Sequence, residues 1–208
     1  MLDTKLLEQG SDAWKQARLG HVTASCIGDV MAKSKSGEAI TRKKYKTKLV
    51  AERLSNQIGE SYSNSAMEWG VEQEQFARQQ YEVSRETFVE KTGFWKHPTI
   101  NWLGVSPDGL VGEAGLIEIK CPNTTTHIEY LWNDVVPVEY YKQIQCQLWV
   151  TNREWCDFVS YDPRLPQKNQ LFVKRCYRSN DSIEDMEIEV KAFLIEVKNM
   201  INILSGEK

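Results

Sequence analysis

Apolar residues recur at helical spacing along much of this chain. The pattern predicts helices over about 11–18, 25–32, 41–54, 67–82 and 139–149. The last helix is the most clearly marked, because one apolar stripe continues through it: Ile183, Met186, Val190, Phe193, Leu194, Val197, Met200, Ile201 and Leu204. Such a stripe predicts a helix that packs against the core or against another subunit.

The middle of the chain alternates polar and apolar residues, as half-buried strands do. This alternation predicts strands over about 87–96 (one or two), 101–105 and 116–120. An antiparallel pair is predicted over about 155–161 and 170–177, joined through a turn at Asp162 and Pro163. Helices and strands in this order predict an α/β fold with a small mixed β-sheet flanked by helices.

Length and composition indicate a single domain spanning residues 1–208, with 41% hydrophobic residues to form its core. No apolar run approaches the roughly 20 residues of a membrane helix, and the N-terminus lacks signal-peptide features. We therefore expect no membrane partner. The 5 cysteines are scattered without a C-x-x-C pair, which argues against a disulfide framework, a zinc site or an iron–sulfur cluster. A reducing cytoplasm is the expected location.

The charge is unevenly distributed along the chain. A net charge of −3 gives no general attraction to nucleic acid. Between Lys33 and Lys48, however, lysines and arginines accompany a single acid, Glu38. Such a run is often a solvated helix face, and it also suits a local field that attracts DNA phosphates. The sequence leaves both interpretations open.

The most informative chemistry lies at Asp108 and the triplet Glu118-Ile119-Lys120. Alternation along a strand places the side chains of Glu118 and Lys120 on one face. Asp108 follows an apolar run at a Pro-Asp-Gly turn, so a hairpin would fold it back toward Glu118. Each motif alone is common in turns and strands, but the two together are much less frequent by chance.

Two carboxylates and a lysine at a sheet edge suit metal-assisted attack of water on a phosphodiester. Carboxylate oxygens without histidine or cysteine ligands favour Mg²⁺ or Mn²⁺. One or two such ions would polarise the phosphate, and Lys120 would orient the water or offset developing charge. The three histidines show no metal-ligand spacing.

Several motifs, taken in order, resemble one nuclease family. Ser106–Leu110 and Leu116–Pro122 look like the core of the PD-(D/E)XK nucleases. Further stretches point more narrowly to the phage lambda exonuclease family, the YqaJ-like viral recombinases: 17–25, 68–74, 143–145, 148–151 and 161–164. The resemblance covers a nuclease core over about 14–164, and a C-terminal strand and helix are expected over about 165–204. The chain departs from the family at residues 98–101, where relatives carry an additional carboxylate and this chain has no acid.

The resemblance implies roles for the residues of the reaction centre. Asp108, Glu118 and the backbone carbonyl of Ile119 would hold Mg²⁺, with two ions per site and Mn²⁺ able to substitute. Lys120 would be the catalytic lysine near the attacking water. Glu74 would reach the centre from its helix, and Gln143 would contact it from another.

The resemblance also implies contacts with DNA. Arg18 and Ser25 match residues that hold a 5′-terminal phosphate, which suits a guanidinium and a hydroxyl. Ser25 is equally suited to be a helix N-cap. Lys35 stands where the family has a third basic contact to phosphate, but a lysine there cannot make the forked contact of the arginine that the family has. Met67 matches an apolar side chain that wedges into the duplex, and an ordinary helix-start contact is the alternative.

The implied function is a Mg²⁺-dependent 5′→3′ exonuclease on linear double-stranded DNA. It would release 5′-mononucleotides and leave a 3′ single strand for phage recombination by single-strand annealing. A ring-shaped homotrimer and a phage annealing protein as partner are further implications, in a bacterial host. The alternatives are an endonuclease with the same core and an inactive DNA-binding module, although keeping Asp108, Glu118 and Lys120 argues against inactivity.

Overall fold

The computed structural model describes residues 3–59 and 65–206, apart from the side chains of Ala66 and Met67. Its helices are α1 Asp12–Arg18, α2 Ile27–Val30, α3 Ile40–Ser55, α4 Ser65–Arg85, α5 Thr124–Asn133, α6 Val138–Thr151 and α7 Asn180–Ser205. Its strands are β1 Val22–Thr23, β2 Val89–Glu90, β3 Trp95–Lys96, β4 Leu103–Val105, β5 Gly109–Val111, β6 Gly115–Lys120, β7 Trp155–Tyr161 and β8 Leu171–Tyr177. Within this part of the chain, no helix is long and apolar enough to cross a membrane.

The larger sheet runs in the order β2-β5-β6-β7-β8, and its strand β6 contains Glu118 and Lys120. Strands β6 and β7 pair in parallel, whereas the other neighbours are antiparallel. Because side chains alternate along β6, Ile117 packs with Ala77 and Tyr81 of α4, and Leu116 packs with Ile144 of α6. Helices therefore cover both faces of the sheet, and the α6 face is the one that Glu118 shares with Leu116.

The predicted α/β fold, with mixed β-structure flanked by helices, is confirmed. The β-structure forms two sheets, because the strand predicted over 101–105 belongs to a smaller sheet of order β1-β4-β3. Parallel pairing of β1 with β4 joins segments that are far apart in the sequence, which a local pattern cannot reveal.

Three local features of the structure differ from what the sequence pattern predicts. The helix predicted over 25–32 consists of a 3-10 turn at Ala24–Cys26 followed by the short α2. Helix α5 was not predicted, because the Thr124-Thr125-Thr126 run has low helix propensity, but the Asn123 side chain caps it by accepting a hydrogen bond from the Thr126 N–H. The glycine of the predicted Pro-Asp-Gly turn is the first residue of a short strand, because β5 begins at Gly109.

Helix α7 completes the core beside the smaller sheet. Its buried side chains pack with those of α2, α3 and α6: Ile183, Met186, Val190, Phe193 and Val197. Ser179 caps the start of the helix and Gly206 ends it in the left-handed conformation. Each large apolar side chain so buried stabilises the fold by roughly 1.5–3 kcal/mol. The stripe predicted from the sequence is therefore core packing over most of its length.

Part of the basic run on α3 is structural. Arg42 and Lys46 each bind both Glu38 and Glu196 of α7, at nitrogen–oxygen distances of 2.7–2.8 Å. These four residues form what we call the clasp between α3 and α7. The side chains of Lys43 and Lys44 lie on the exposed side of the same helix.

Candidate active site

One pocket of about 200 Å³ gathers most of the predicted site residues. Its lining includes Arg18, Ser25, Asp108, Glu118, Lys120 and Gln143, together with Gln9, Trp14, Thr23, Ala24, Ser106 and Gln147. The pocket lies where the carboxyl end of β6 meets α6, the loop before β5 and the loop after α1. Residues distant in the sequence are thereby brought to one cavity.

The hairpin of β5 and β6 sets Asp108 beside Glu118. Gly109 pairs with Ile117, so the residue before Gly109 lies next to Glu118. The Asp108 Oδ2 atom accepts a hydrogen bond of 2.6 Å from the Ile119 N–H. The predicted proximity is correct, but the chain reverses at Gly112 rather than at the Pro-Asp-Gly turn.

Close packing requires a glycine next to Asp108. A Cβ atom added at Gly109 would lie 2.1 Å from Cγ1 of Val89 on β2, well inside van der Waals contact. The Gly109 backbone can therefore approach β2 only without a side chain.

Glu118 is only 1% exposed and has donors on both carboxylate oxygens. Its Oε1 atom accepts a hydrogen bond of 2.6 Å from Gln143 and forms an ion pair with the Lys120 ammonium. Its Oε2 atom accepts a hydrogen bond of 2.6 Å from Gln147. Hydrogen bonds to a charged group contribute about 1.5–3 kcal/mol each, which makes a buried carboxylate tolerable at this position.

The charges of the pocket are strongly coupled. Desolvation, and then the nearby charge of Glu118, raises the pKa of Asp108 well above its ordinary value. Burial opposes the charge on Lys120, but attraction to Glu118 and Asp108 outweighs it and raises the pKa of the ammonium. An added cation would relieve the repulsion between the two carboxylates.

The donor set fits a hard divalent cation. The pocket offers carboxylate and amide oxygens, and the amide Oε1 of Gln147 is buried without a hydrogen-bond partner among the described residues. Oxygen ligands of this kind suit Mg²⁺ or Mn²⁺. Over 3–59 and 65–206, no group of three or more His, Cys, Asp and Glu side chains has an arrangement able to hold a metal. Asp108 and Glu118, with a backbone carbonyl and water, would have to hold the ion.

Glu74 lies beside the pocket rather than in its lining. It faces an adjoining groove of about 590 Å³, which Asp108 also lines. Arg78, one turn further along α4, forms an ion pair with Glu74 and donates a hydrogen bond of 3.2 Å to the Asp108 carbonyl. Arg78 thus ties the helix that carries Glu74 to the residue that begins β5.

Arg18 and Ser25 form the other end of the pocket. The Arg18 guanidinium lies 3.9 Å from the centre of the Trp14 ring, whose N–H donates to Ser106. Burial lowers the pKa of Arg18. No carboxylate of the described chain forms an ion pair with this arginine. The arrangement leaves a positive charge available to an anion.

Ser25 is not a helix N-cap, so that alternative is wrong. The N-cap of α2 is Cys26, and Thr23 precedes the 3-10 turn. The Ser25 hydroxyl lies 3.3 Å from that of Thr23 and is exposed toward the pocket. Its side chain therefore remains available to a ligand.

Of the other two predicted DNA contacts, the structure places Lys35 outside the pocket and does not describe the side chain of Met67. Lys35 is exposed in the loop between α2 and α3, and it is not among the described residues that line the cavity. Met67 belongs to the first turn of α4, but its side chain lies outside the described residues. The proposed wedge is therefore a prediction that the structure does not address.

Sequence reasoning missed Gln147 and Arg78. Gln147 lies four residues after Gln143 on α6, and this spacing puts the two amides on one face of the helix. The same spacing relates Arg78 to Glu74 on α4. Testing for polar partners one helical turn beyond each predicted site residue would have found both.

One family model matches most of the chain. The model of the YqaJ-like viral recombinase domain matches residues 13–154. A protein of Acanthamoeba polyphaga mimivirus is 26% identical over an alignment of 168 residues, which covers 73% of this chain and 29% of that protein. The chain thus spans less than a third of the length of this curated relative.

Solved structures extend the comparison. The alkaline exonuclease LHK-Exo of Laribacter hongkongensis is 45% identical, with a TM-score of 0.88 over 95% of this chain and 97% of that one. The same enzyme in complex with dAMP gives a TM-score of 0.89 at 46% identity, with the same coverage. A phage-related exonuclease of Haemophilus somnus shares the fold at 16% identity and a TM-score of 0.72, over 91% of this chain and 99% of that one.

Proposed function

Because the chain belongs to the YqaJ-like viral recombinase family, we propose that it is a DNA exonuclease. It acts on linear double-stranded DNA in the 5′→3′ direction, requires Mg²⁺, and leaves a 3′ single strand. Mn²⁺ substitutes for Mg²⁺, with two ions at each site. The name of the similar LHK-Exo enzyme supports exonuclease activity.

The observation that supports this function best is the shared pocket. Asp108, Glu118 and Lys120 lie at one end, and Arg18 and Ser25 lie at the other. A 5′-phosphate held by Arg18 and Ser25 would set the terminal nucleotide between the anion-binding end and the reaction centre. Cleavage would then release one 5′-mononucleotide at a time. The complex of LHK-Exo with dAMP supports a mononucleotide product.

Each residue of the pocket has a separate role in the proposed reaction. Asp108, Glu118 and the Ile119 carbonyl would hold the cation, which would supply polarisation of the phosphodiester and a lower pKa for the attacking water. Lys120 orients that water and offsets negative charge in the transition state. Gln143 fixes the Glu118 carboxylate, and Glu74 approaches from the adjoining groove to help hold the water.

The wider biological setting is proposed from the resemblance. The exonuclease would be a ring-shaped homotrimer that encloses duplex DNA, with the exposed lysines of α3 contributing to a positive channel. A phage annealing protein would take up the 3′ single strand. Lys35 and Met67 would contact the duplex outside the pocket.

The decisive experiment digests a linear duplex labelled separately at each end, alongside the same DNA as a covalently closed circle. Reactions contain Mg²⁺ or EDTA, with Lys120→Ala as the inactive control. We expect Mg²⁺-dependent shortening from 5′-phosphorylated ends while the circle survives. Cutting of the circle would contradict exonuclease action, and inertness of both substrates would contradict nuclease activity.

A further inference from the structure

Gln147 is the buried side chain of the pocket whose role the reaction scheme above leaves unexplained. It is 1% exposed, and its Nε2 atom donates a hydrogen bond of 2.6 Å to the Oε2 atom of Glu118. Its Oε1 atom is buried and has no hydrogen-bond partner among the described residues. Buried amide oxygens are almost always paired, so this one calls for an explanation.

The hydrogen bond to Glu118 fixes which way the amide points. A carboxylate only accepts hydrogen bonds, so the NH₂ group must face Glu118 and the amide oxygen must face away from it. Gln143 and Lys120 occupy the other oxygen of Glu118, which leaves Gln147 as the donor to Oε2. The Glu118 carboxylate is therefore held at both oxygens.

We infer that Gln147 is a positioning residue for the cation site. Its NH₂ group fixes the plane of the Glu118 carboxylate, and its free amide oxygen accepts a hydrogen bond from the water shell of the bound cation. Partners of metal-ligating carboxylates contribute to affinity in this way. The inference rests on the proposed Mg²⁺ site and adds to it a residue that orients a ligand.

Gln145 supplies a matched control on the same helix. It is also fully buried, but both ends of its amide are used within the fold, by the carbonyl of Tyr177 and the N–H of Ser179. Gln145 does not line the pocket. Gln→Met at either position removes a buried amide of similar size, so both variants test stability and only one tests the cation site.

The experiment titrates Mn²⁺ into the full chain by calorimetry, for the wild type, Gln147→Met and Gln145→Met. Thermal unfolding and binding of a 5′-phosphorylated duplex in EDTA are measured on the same samples. We expect Gln147→Met to weaken Mn²⁺ binding by about 10–100-fold and to retain DNA-end binding. Gln145→Met should keep the wild-type Mn²⁺ affinity even where it lowers the unfolding temperature.

The outcomes separate this inference from the proposed function. Wild-type Mn²⁺ affinity in folded Gln147→Met would overturn the role of Gln147 while leaving the cation site intact. Failure of the wild type to bind Mn²⁺ would overturn both. If Gln147→Met does not fold, Gln147→Asn keeps an amide but shortens it by one methylene, and the same loss of affinity is expected.

Discussion

The reaction centre and the α3–α7 clasp are both clusters of acids and bases, yet their charges behave in opposite ways. In the clasp, two bases face two acids, and hydrogen bonds from Arg42, then from Lys46, lower the pKa of Glu196 to about 2. In the reaction centre, two acids face one lysine, and desolvation raises the pKa of Asp108. The clasp therefore favours the charged form of Glu196, whereas the pocket disfavours the charged form of Asp108.

The direction of the pKa shift distinguishes carboxylates that stabilise the fold from carboxylates that serve a ligand or a reaction. A carboxylate with a lowered pKa stabilises the folded state at neutral pH, whereas one with a raised pKa destabilises it. Sites with raised carboxylate pKa values persist where a ligand or a reaction uses them. On this criterion the clasp holds two helices together, whereas the pocket is the site at which we propose that a cation binds.

The largest difference is expected when the lysine of each cluster is removed. Lys120→Ala should lower the cleavage rate by about 10²–10³-fold, because a group that offsets charge in the transition state is lost. Lys46→Ala should keep the rate at saturating DNA and lower the unfolding temperature instead. Single-turnover digestion of a linear duplex and circular dichroism measure the two effects. Equal loss of rate in both variants would remove the distinction.

Arginines provide the next test. Arg18 has an aromatic neighbour but no ion pair among the described residues, whereas Arg42 binds two carboxylates. Arg18→Ala should reduce the preference for 5′-phosphate over 5′-hydroxyl ends by roughly 10–100-fold, the value of a charge-assisted contact. Arg42→Ala should retain that preference. Equal slowing of Arg18→Ala on both kinds of end would exclude a phosphate contact.

Neutralising a carboxylate should change the stability of the fold in opposite directions in the two clusters, with a gain at Asp108 and a loss at Glu196. Asp108→Asn should stabilise the cation-free protein by about 1–2 kcal/mol at pH 7, because it removes a desolvated charge and keeps an oxygen for the Ile119 N–H. A raised pKa favours the protonated form on folding, so the gain should vanish as pH falls toward about 3.9. Urea unfolding in EDTA at several pH values measures it, and destabilisation at pH 7 would contradict the raised pKa.

Much of the reaction centre was predictable because its residues are local in sequence. Period-2 alternation places Glu118 and Lys120 together, and the short distance to Asp108 limits where that carboxylate can lie. The anion-binding end was reached only through the family resemblance. Arg18 meets the pocket through pairing of β1 with β4 and through the Trp14–Ser106 contact, which join segments more than 75 residues apart.

What the sequence concealed is how charges pair over long distances. The basic run on α3 suggested either a solvated face or a DNA surface, but Arg42 and Lys46 are paired with Glu196, about 150 residues away. Gln147 could have been suspected from its spacing of four residues after Gln143, but only the fold shows that it donates to Glu118 and that its amide oxygen has no partner among the described residues. Which charges form ion pairs, and which buried polar atoms have no hydrogen-bond partner, depend on the fold and not on any local sequence pattern.

The smallest expected effect concerns Glu196 itself. Glu196→Gln should destabilise the protein by about 0.5–1 kcal/mol at pH 7, because partial exposure and solvent screening weaken the clasp. A lowered pKa means that this contribution is complete above the unfolded value of about 4.3 and is lost as pH falls toward about 2. Urea unfolding at pH 7 and pH 3 should therefore show a difference that shrinks with acid. Glu189→Gln on the same helix is the control, because Glu189 forms an ion pair with the exposed Lys33 at 3.5 Å and its loss should cost less. Equal costs for the two variants at pH 7 would show that the clasp is no stronger than an ordinary surface pair.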